Sequence, residues 1–167
     1  GYNNYGQLGD GTTTNKKKFV RVIPSGVMDV SAGQVYTMAL KQDGSLWATG
    51  YNGYGQRGDG TTTTKKVFVQ VIDVGVKAVS TGVLHAMVLK QDGSLWAAGN
   101  NNYGQLGDKT TIRRKVFVKV VDSGVKEVSA GQDHSELLND KNELCVTGYN
   151  GYGQLGTGAT ATVVGFK

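Results

Sequence analysis

One proline, one cysteine and no long apolar run are what this sequence offers to the usual structural classes. A single proline excludes collagen and a proline-rich linker. The lone Cys145 excludes an internal disulfide framework and a cysteine-based zinc site. No apolar stretch approaches the roughly 18 residues of a membrane-spanning helix. No segment keeps a helical spacing of apolar residues over ten positions. Charged residues make up only 19% of the 167, and apolar ones 38%, both below the usual globular share. The chain lacks a charged-then-apolar leader and does not begin with Met, which suggests a processed chain or a piece of something longer.

What is abundant is glycine, 26 residues, and it recurs in order. GYNNYGQLGDGTTT begins at Gly1, GYNGYGQRGDGTTT at Gly50, GNNNYGQLGDKTT at Gly99 and GYNGYGQLGTG at Gly148. The spacing is 49 residues each time, without insertion or deletion. The first two units agree at about 33 of 49 positions, far above chance, so the chain is a repeat array of three units and part of a fourth. Within the second unit, Val76–Ser80 and His85–Leu89 read as short strands. Asp92-Gly93 is a hairpin turn. Leu95–Ala97 and Val67–Val71 supply two further strands, and a Gly/Asn/Thr loop precedes the latter. The same turn is Asp43-Gly44 in the first unit and Lys141-Asn142 in the third, where Asn tolerates positive φ. Four short strands per 40–50 residues are the pattern of a propeller blade. The expected fold is all-β: propeller blades with four antiparallel strands per 49-residue unit, about twelve strands, in one propeller or partial-propeller domain over residues 1–167. The strands ending Ser31-Ala32-Gly33, Ser80-Thr81-Gly82 and Ser129-Ala130-Gly131 are expected innermost, where only small residues fit. Trp47 and Trp96 are expected largely buried, with Cys145 in the equivalent place.

Ser129-Ala130-Gly131 followed by His134-Ser135, Asp92-Gly93-Ser94-Leu95-Trp96 running into Gly99, and Asn102-Tyr103-Gly104-Gln105-Leu106-Gly107 resemble the regulator-of-chromosome-condensation repeat family. The resemblance covers the whole chain in phase. It implies a β-propeller, usually of seven blades, and the DGSLWATG string looks like bacterial members. Ser25-Gly26-Val27 and Ser123-Gly124-Val125 also look like turns of bacterial β-lactamase-inhibiting propellers. Three and a half units do not close such a ring. A longer array, two chains completing one ring, or an open stack would each satisfy the terminal blades, and self-association through blade ends is expected.

Several columns of equivalent residues are candidates for chemistry. Basic residues Lys16, Lys17, Lys18, Lys65, Lys66, Arg113, Arg114 and Lys115 recur in register and form an arc. The arc suits nucleic acid, an anionic glycan or an acidic protein; alternatively, lysines there block edge-to-edge strand pairing. Tyr2, Tyr5, Tyr51, Tyr54, Tyr103, Tyr149 and Tyr152 form an aromatic column, able to stack on sugars or bases or to pack against the next blade. Asp10, Asp59 and Asp108, with Thr157 fourth, supply one oxygen group per loop. That is thin for calcium and natural for an Asx-turn. His85 and His134, aligned with Tyr36, read as hydrogen-bonded core groups. Gln7, Gln56, Gln105 and Gln154 are expected to satisfy backbone groups. Leu8, Leu106 and Leu155 are expected to fill the layer between blades, with Arg57 marking a looser or more exposed junction. No nucleophile elbow, HExxH, P-loop or paired-carboxylate arrangement occurs, so neither enzyme activity, cofactor nor metal is expected. The leading function is a binding scaffold that presents repeated loops to a macromolecular partner. A self-assembling structural unit is the second reading, and an enzyme inhibitor or nucleotide-exchange factor, by family analogy, the third. A protein partner or self-association comes first, an anionic polymer second, and membrane insertion is excluded. Location is open, with an extracellular or cell-surface one favoured.

Overall fold

A computed structural model describes residues 1–167. The chain contains eleven strands and no helix. Strands β1 (Val27–Ala32), β2 (Tyr36–Lys41), β3 (Leu46–Gly50) and β4 (Lys65–Ile72) form one antiparallel sheet in sequence order. Strands β5 (Val76–Thr81), β6 (His85–Lys90), β7 (Leu95–Gly99) and β8 (Arg114–Val121) repeat it 49 residues later. The third blade holds β9 (Val125–Ala130), β10 (His134–Asn139) and β11 (Leu144–Gly148). Its fourth strand is only begun: Val163 exchanges backbone hydrogen bonds with Gly148, and Lys167 with Val146. The count is eleven rather than twelve because β4 and β8 complete blades begun one loop earlier. The matching segment 16–24 has no third strand beside it and stays irregular.

The hairpins follow from local chemistry. Asp43 accepts hydrogen bonds from the N–H and hydroxyl of Ser45, at 2.9 and 2.6 Å, and Asp92 does the same for Ser94. The third turn survives without glycine because Asn142 takes φ 63°. Each Ser hydroxyl also receives the indole N–H of Trp47 or Trp96 at 2.9 Å. Both tryptophans are half-buried, not largely buried as the sequence suggests. Each lies beside a lysine, with Lys41 4.2 Å from the Trp47 ring and Lys119 5.8 Å from Trp96, which also packs against the core between the first two blades.

Blades stack edge-on. Strand β5 packs on β1 and β2, and β9 on β5 and β6, in an open arc of three sheets. Alternation along β6 explains the stacking. Ala86 and Val88 join Tyr36, Met38, Leu40, Leu46, Ala48, Val76 and Val79 in the core between the first two blades. Met87 and Leu89 face the other way, into a core with Leu95, Ala97, Leu106, Val125 and Leu137. A strand buried on both faces thus ties the two seams together. Small residues do line the inner strands: a Cβ on Gly33 would sit 2.8 Å from the Gly82 carbonyl oxygen, and one on Gly82 2.5 Å from that of Gly131.

Arg57 corrects an expectation. It is fully buried (0% exposed), not in a looser or more exposed junction, and holds the place that Leu106 fills one unit later. Its Nη2 donates to Asp59 Oδ2, while Nε and Nη1 have no partner. A buried cation with unsatisfied donors costs stability, and well-packed apolar replacements of such groups gain about 1–4 kcal/mol. Lys65 aligns with Lys16 and Arg114, which pair with the corresponding aspartates, so it can take over Asp59. Arg57→Leu should therefore raise stability by about 1–3 kcal/mol in urea unfolding; a loss of stability would show that the guanidinium has partners the account omits.

Candidate binding face

The long loops that join the third strand of one blade to the fourth have little regular structure, yet their backbones are held in place. In each, one fully buried asparagine does most of this. The side-chain oxygens of Asn3, Asn52, Asn101 and Asn150 accept the N–H of Leu8, Arg57, Leu106 and Leu155 at 2.9–3.0 Å. Their NH₂ groups donate onward to Asp10, Asp59 and Asp108 Oδ1 and to Thr157 Oγ1, at 2.9–3.1 Å. They also reach the carbonyls of Thr12, Thr61, Thr110 and Ala159. The glutamines complete the turn: Gln7, Gln56, Gln105 and Gln154 accept the N–H of Tyr5, Tyr54, Tyr103 and Tyr152.

The loop then rests on the next blade. Thr49 donates to the Gly6 and Lys65 carbonyls at 2.9 and 3.1 Å, and Thr147 likewise to Gly104 and Val163. Gly9, Gly58 and Gly107, at φ 70–77°, lie under the rings of Phe68, Phe117 and Phe166. A Cβ on Gly58 would come 2.2 Å from the Phe117 ring, so only glycine permits that contact. Leu106 and Leu155 are buried in the layer between blades as expected, and Leu8 is half-buried.

The aspartates of the acidic column are spent inside these loops. Asp10 accepts the Thr12 hydroxyl and N–H at 2.7 and 3.0 Å, and its carboxyl titrates far below the usual range because of that hydroxyl. Burial opposes ionisation of Asp59 and Asp108. The hydroxyls of Thr61 and Thr110, with Arg57 and Arg114, outweigh it and hold both carboxyls below the usual range. The basic column is accordingly divided. Lys16 pairs with Asp10 at 3.1 Å and Arg114 with Asp108 at 2.7 Å. Arg113 lies 4.3 Å from the Tyr54 ring centre. Lys17, Lys18, Lys65, Lys66 and Lys115 are exposed and make no ion pair.

The tyrosines form two ladders. One runs Tyr2–Tyr5–Tyr51–Tyr54, with centroid separations of 6.4, 5.2 and 6.4 Å. The other runs Tyr103–Tyr149–Tyr152 at 4.9 and 5.9 Å. Asn100, where Tyr51 and Tyr149 would align, breaks the series. Antiparallel connectivity puts these loops, the starts of β4 and β8 and the short β1–β2 type connections on one face; Tyr51 N–H donates to the Val35 carbonyl at 2.9 Å. The Asp43-Gly44 and Asp92-Gly93 hairpins lie on the opposite face, joined to Val76 and Val125.

The histidines do not converge with any of this. His85 is fully buried, and its Nε2 sits 2.8 Å from the Ser135 hydroxyl, which donates to the Gln105 carbonyl at 2.8 Å. Tyr36, one blade back, donates to the His85 carbonyl. His134 is half-buried, 3.9 Å from Glu136. What sequence reasoning missed is the loop asparagine. Its signal is visible, since Asn is third in all four loop strings.

Four-stranded blades with a 49-residue period and a loop carried across each seam define a β-propeller repeat protein. Models of the regulator of chromosome condensation repeat match residues 1–40 and 92–138 in one version, and 27–56 and 76–105 in another; the chain belongs to this family. Its fold is similar to human WBSCR16, with TM-score 0.83, 23% identity, and coverage of 99% of this chain and 45% of that one. It is also similar to Prp20p of Saccharomyces cerevisiae, with TM-score 0.72, 22% identity, and 85% and 38% coverage. The chain thus spans less than half the length of these solved proteins. No curated protein matches it in sequence.

Two predictions follow from the loop and seam geometry. Asn101→Ala strands the Leu106 N–H and several carbonyls, and should cost about 2–4 kcal/mol at roughly 1–3 kcal/mol per buried unsatisfied group; an unchanged melting temperature would refute the role. Burial, and then the nearby His134, push the His85 pKa down to about 3. The unfolded side chain takes up its proton near 6.5. The folded state resists protonation, so its stability is full above pH 6.5 and falls as the pH drops from 6.5 toward 3. The slope is about 1.4 kcal/mol per pH unit for this group. Between pH 6.5 and 5, His85→Gln should lose that slope; parallel stability curves for the two proteins would contradict it.

Proposed function

We propose that this chain is a non-enzymatic interaction module that presents its loop face to a macromolecular partner, a protein first. One observation carries the reading: the tyrosine ladders, on loops fixed by buried asparagines, lie on one face with the unpaired lysines at the strand starts beside them. Aromatic and basic side chains held rigidly concentrate binding energy with little ordering cost. Several titratable groups already have structural work. Asp10, Asp59 and Asp108 hold loops, and His85 is sealed in a seam. The similar yeast protein Prp20p is described by its binding to Gsp1p and histones, which supports a protein as partner class and says nothing of which one.

The test places a photocrosslinking residue at Tyr152 or Lys66 on the loop face, or at Asp92 on the opposite face. Partners should be captured from the first two positions and not the third. Capture from Asp92 alone would move the binding surface to the hairpin face and overturn the reading.

A further inference from the structure

The charge of the molecule is unevenly placed. Segments 1–18, 50–66 and 99–115, which build the loop face and the strand starts beside it, hold ten basic residues against three acidic ones. All three acids, Asp10, Asp59 and Asp108, are already paired with Lys16, Arg57 and Arg114. The remaining positive charge is uncompensated. It also lies close to the backbone of the tyrosine loops: the Cα of Lys66 lies 2.6 Å from where a Gly6 Cβ would be, and that of Lys115 2.6 Å from where a Gly55 Cβ would be. Gly6, next to Tyr5, thus lies against the backbone of Lys66, and Gly55, next to Tyr54, against that of Lys115, one blade apart. The pattern ends at the third blade, where Val163-Val164 stand in place of Lys65-Lys66.

The ring faces discriminate between kinds of anion. A single-stranded nucleic acid needs open aromatic faces on which bases can stack. Here the Arg113 guanidinium lies over the Tyr54 ring, and Tyr5 meets Tyr2 and Tyr51 at steep interplanar angles of 64° and 60°, so the rings do not line up as a flat stacking platform. The rings touch one another at an angle, while the hydroxyls of Tyr5 and Tyr54 make no hydrogen bond within the protein. Phenol hydroxyls and ammonium groups presented on one face suit carboxylates, which accept from both.

We propose that the face formed by Tyr5, Tyr54, Lys65, Lys66 and Lys115 binds an acidic polypeptide segment, its carboxylates taken by the lysines and the tyrosine hydroxyls. This rests on the reading of the chain as a binding module and names the chemistry of its partner. The probes are a labelled glutamate-rich peptide and an oligothymidylate of equal charge, titrated against the 167-residue chain by fluorescence anisotropy. The peptide should bind more tightly, and its affinity should fall about tenfold or more between about 50 and 300 mM salt. Lys66→Gln with Lys115→Gln should weaken the peptide about tenfold, and Tyr5→Phe with Tyr54→Phe about two- to fivefold. Lys126→Gln with Lys141→Gln, on the opposite face, should leave it unchanged. Tighter binding of the oligothymidylate, equal loss in the opposite-face variant, or no peptide binding at low salt would each overturn the proposal. If peptide binding fails while crosslinking still places a partner on the loop face, the acidic partner falls and the binding module stands; if both fail, both fall.

Discussion

The buried carboxamide of one asparagine per loop is the interaction on which this molecule depends. A loop of about fifteen residues with little secondary structure is unusual in a compact domain, because its backbone polar groups need partners. Here Asn3, Asn52, Asn101 and Asn150 supply them from inside, each bridging the early loop to its Asp or Thr and to a later carbonyl. The loop can then cover the seam, seat a phenylalanine of the outer strand on a bare glycine, and hold its tyrosines outward. Rigidity at the surface is thus produced by polar groups in the interior, and that is what suits the face to recognition.

The seams extend the same logic inward. Ser31 and Thr81 meet hydroxyl to hydroxyl at 2.8 Å, and Ser80 accepts the Ala130 N–H at 2.9 Å. The Tyr36, His85 and Ser135 contacts link neighbouring second strands. Apolar packing supplies the bulk of the attraction between blades, and these bonds fix the relative height of one blade against the next. Sequence drift is absorbed at particular points: Asn100 interrupts a tyrosine ladder, Cys145 replaces a tryptophan and Arg57 replaces a leucine. Only the last buries a charge, and Asp59, two residues along, is what makes it tolerable.

Much of the architecture was legible in the residues. The 49-residue period, the Asp-Gly hairpins, the Asn142 substitute for glycine and the small inner-strand residues all lead to the observed blades. Those signals are local, set by turn chemistry and period-two alternation. The half-buried tryptophans were not legible, since composition cannot say that a lysine ammonium sits over the Trp47 ring. The fate of the basic column was hidden for a related reason. Lys16 reaches Asp10, six residues earlier, whereas the equivalent Lys65 leaves Asp59 to Arg57, a pairing that the lysine positions alone do not reveal. The tyrosine column was visible as a list of positions. The tilted contacts between its rings appear only when loops from different units are brought side by side.

Amide hydrogen exchange resolved by residue tests the central claim most directly. The N–H groups of Leu8, Arg57, Leu106 and Leu155, which end on the buried asparagine oxygens, should exchange as slowly as those of the strands beneath them, although they lie in loops. The exposed N–H groups of Thr62 and Thr111 should exchange freely. Fast exchange at the four asparagine-bound amides, with slow strands below, would mean that the loops are not held from within and that the face they present is not a preformed one.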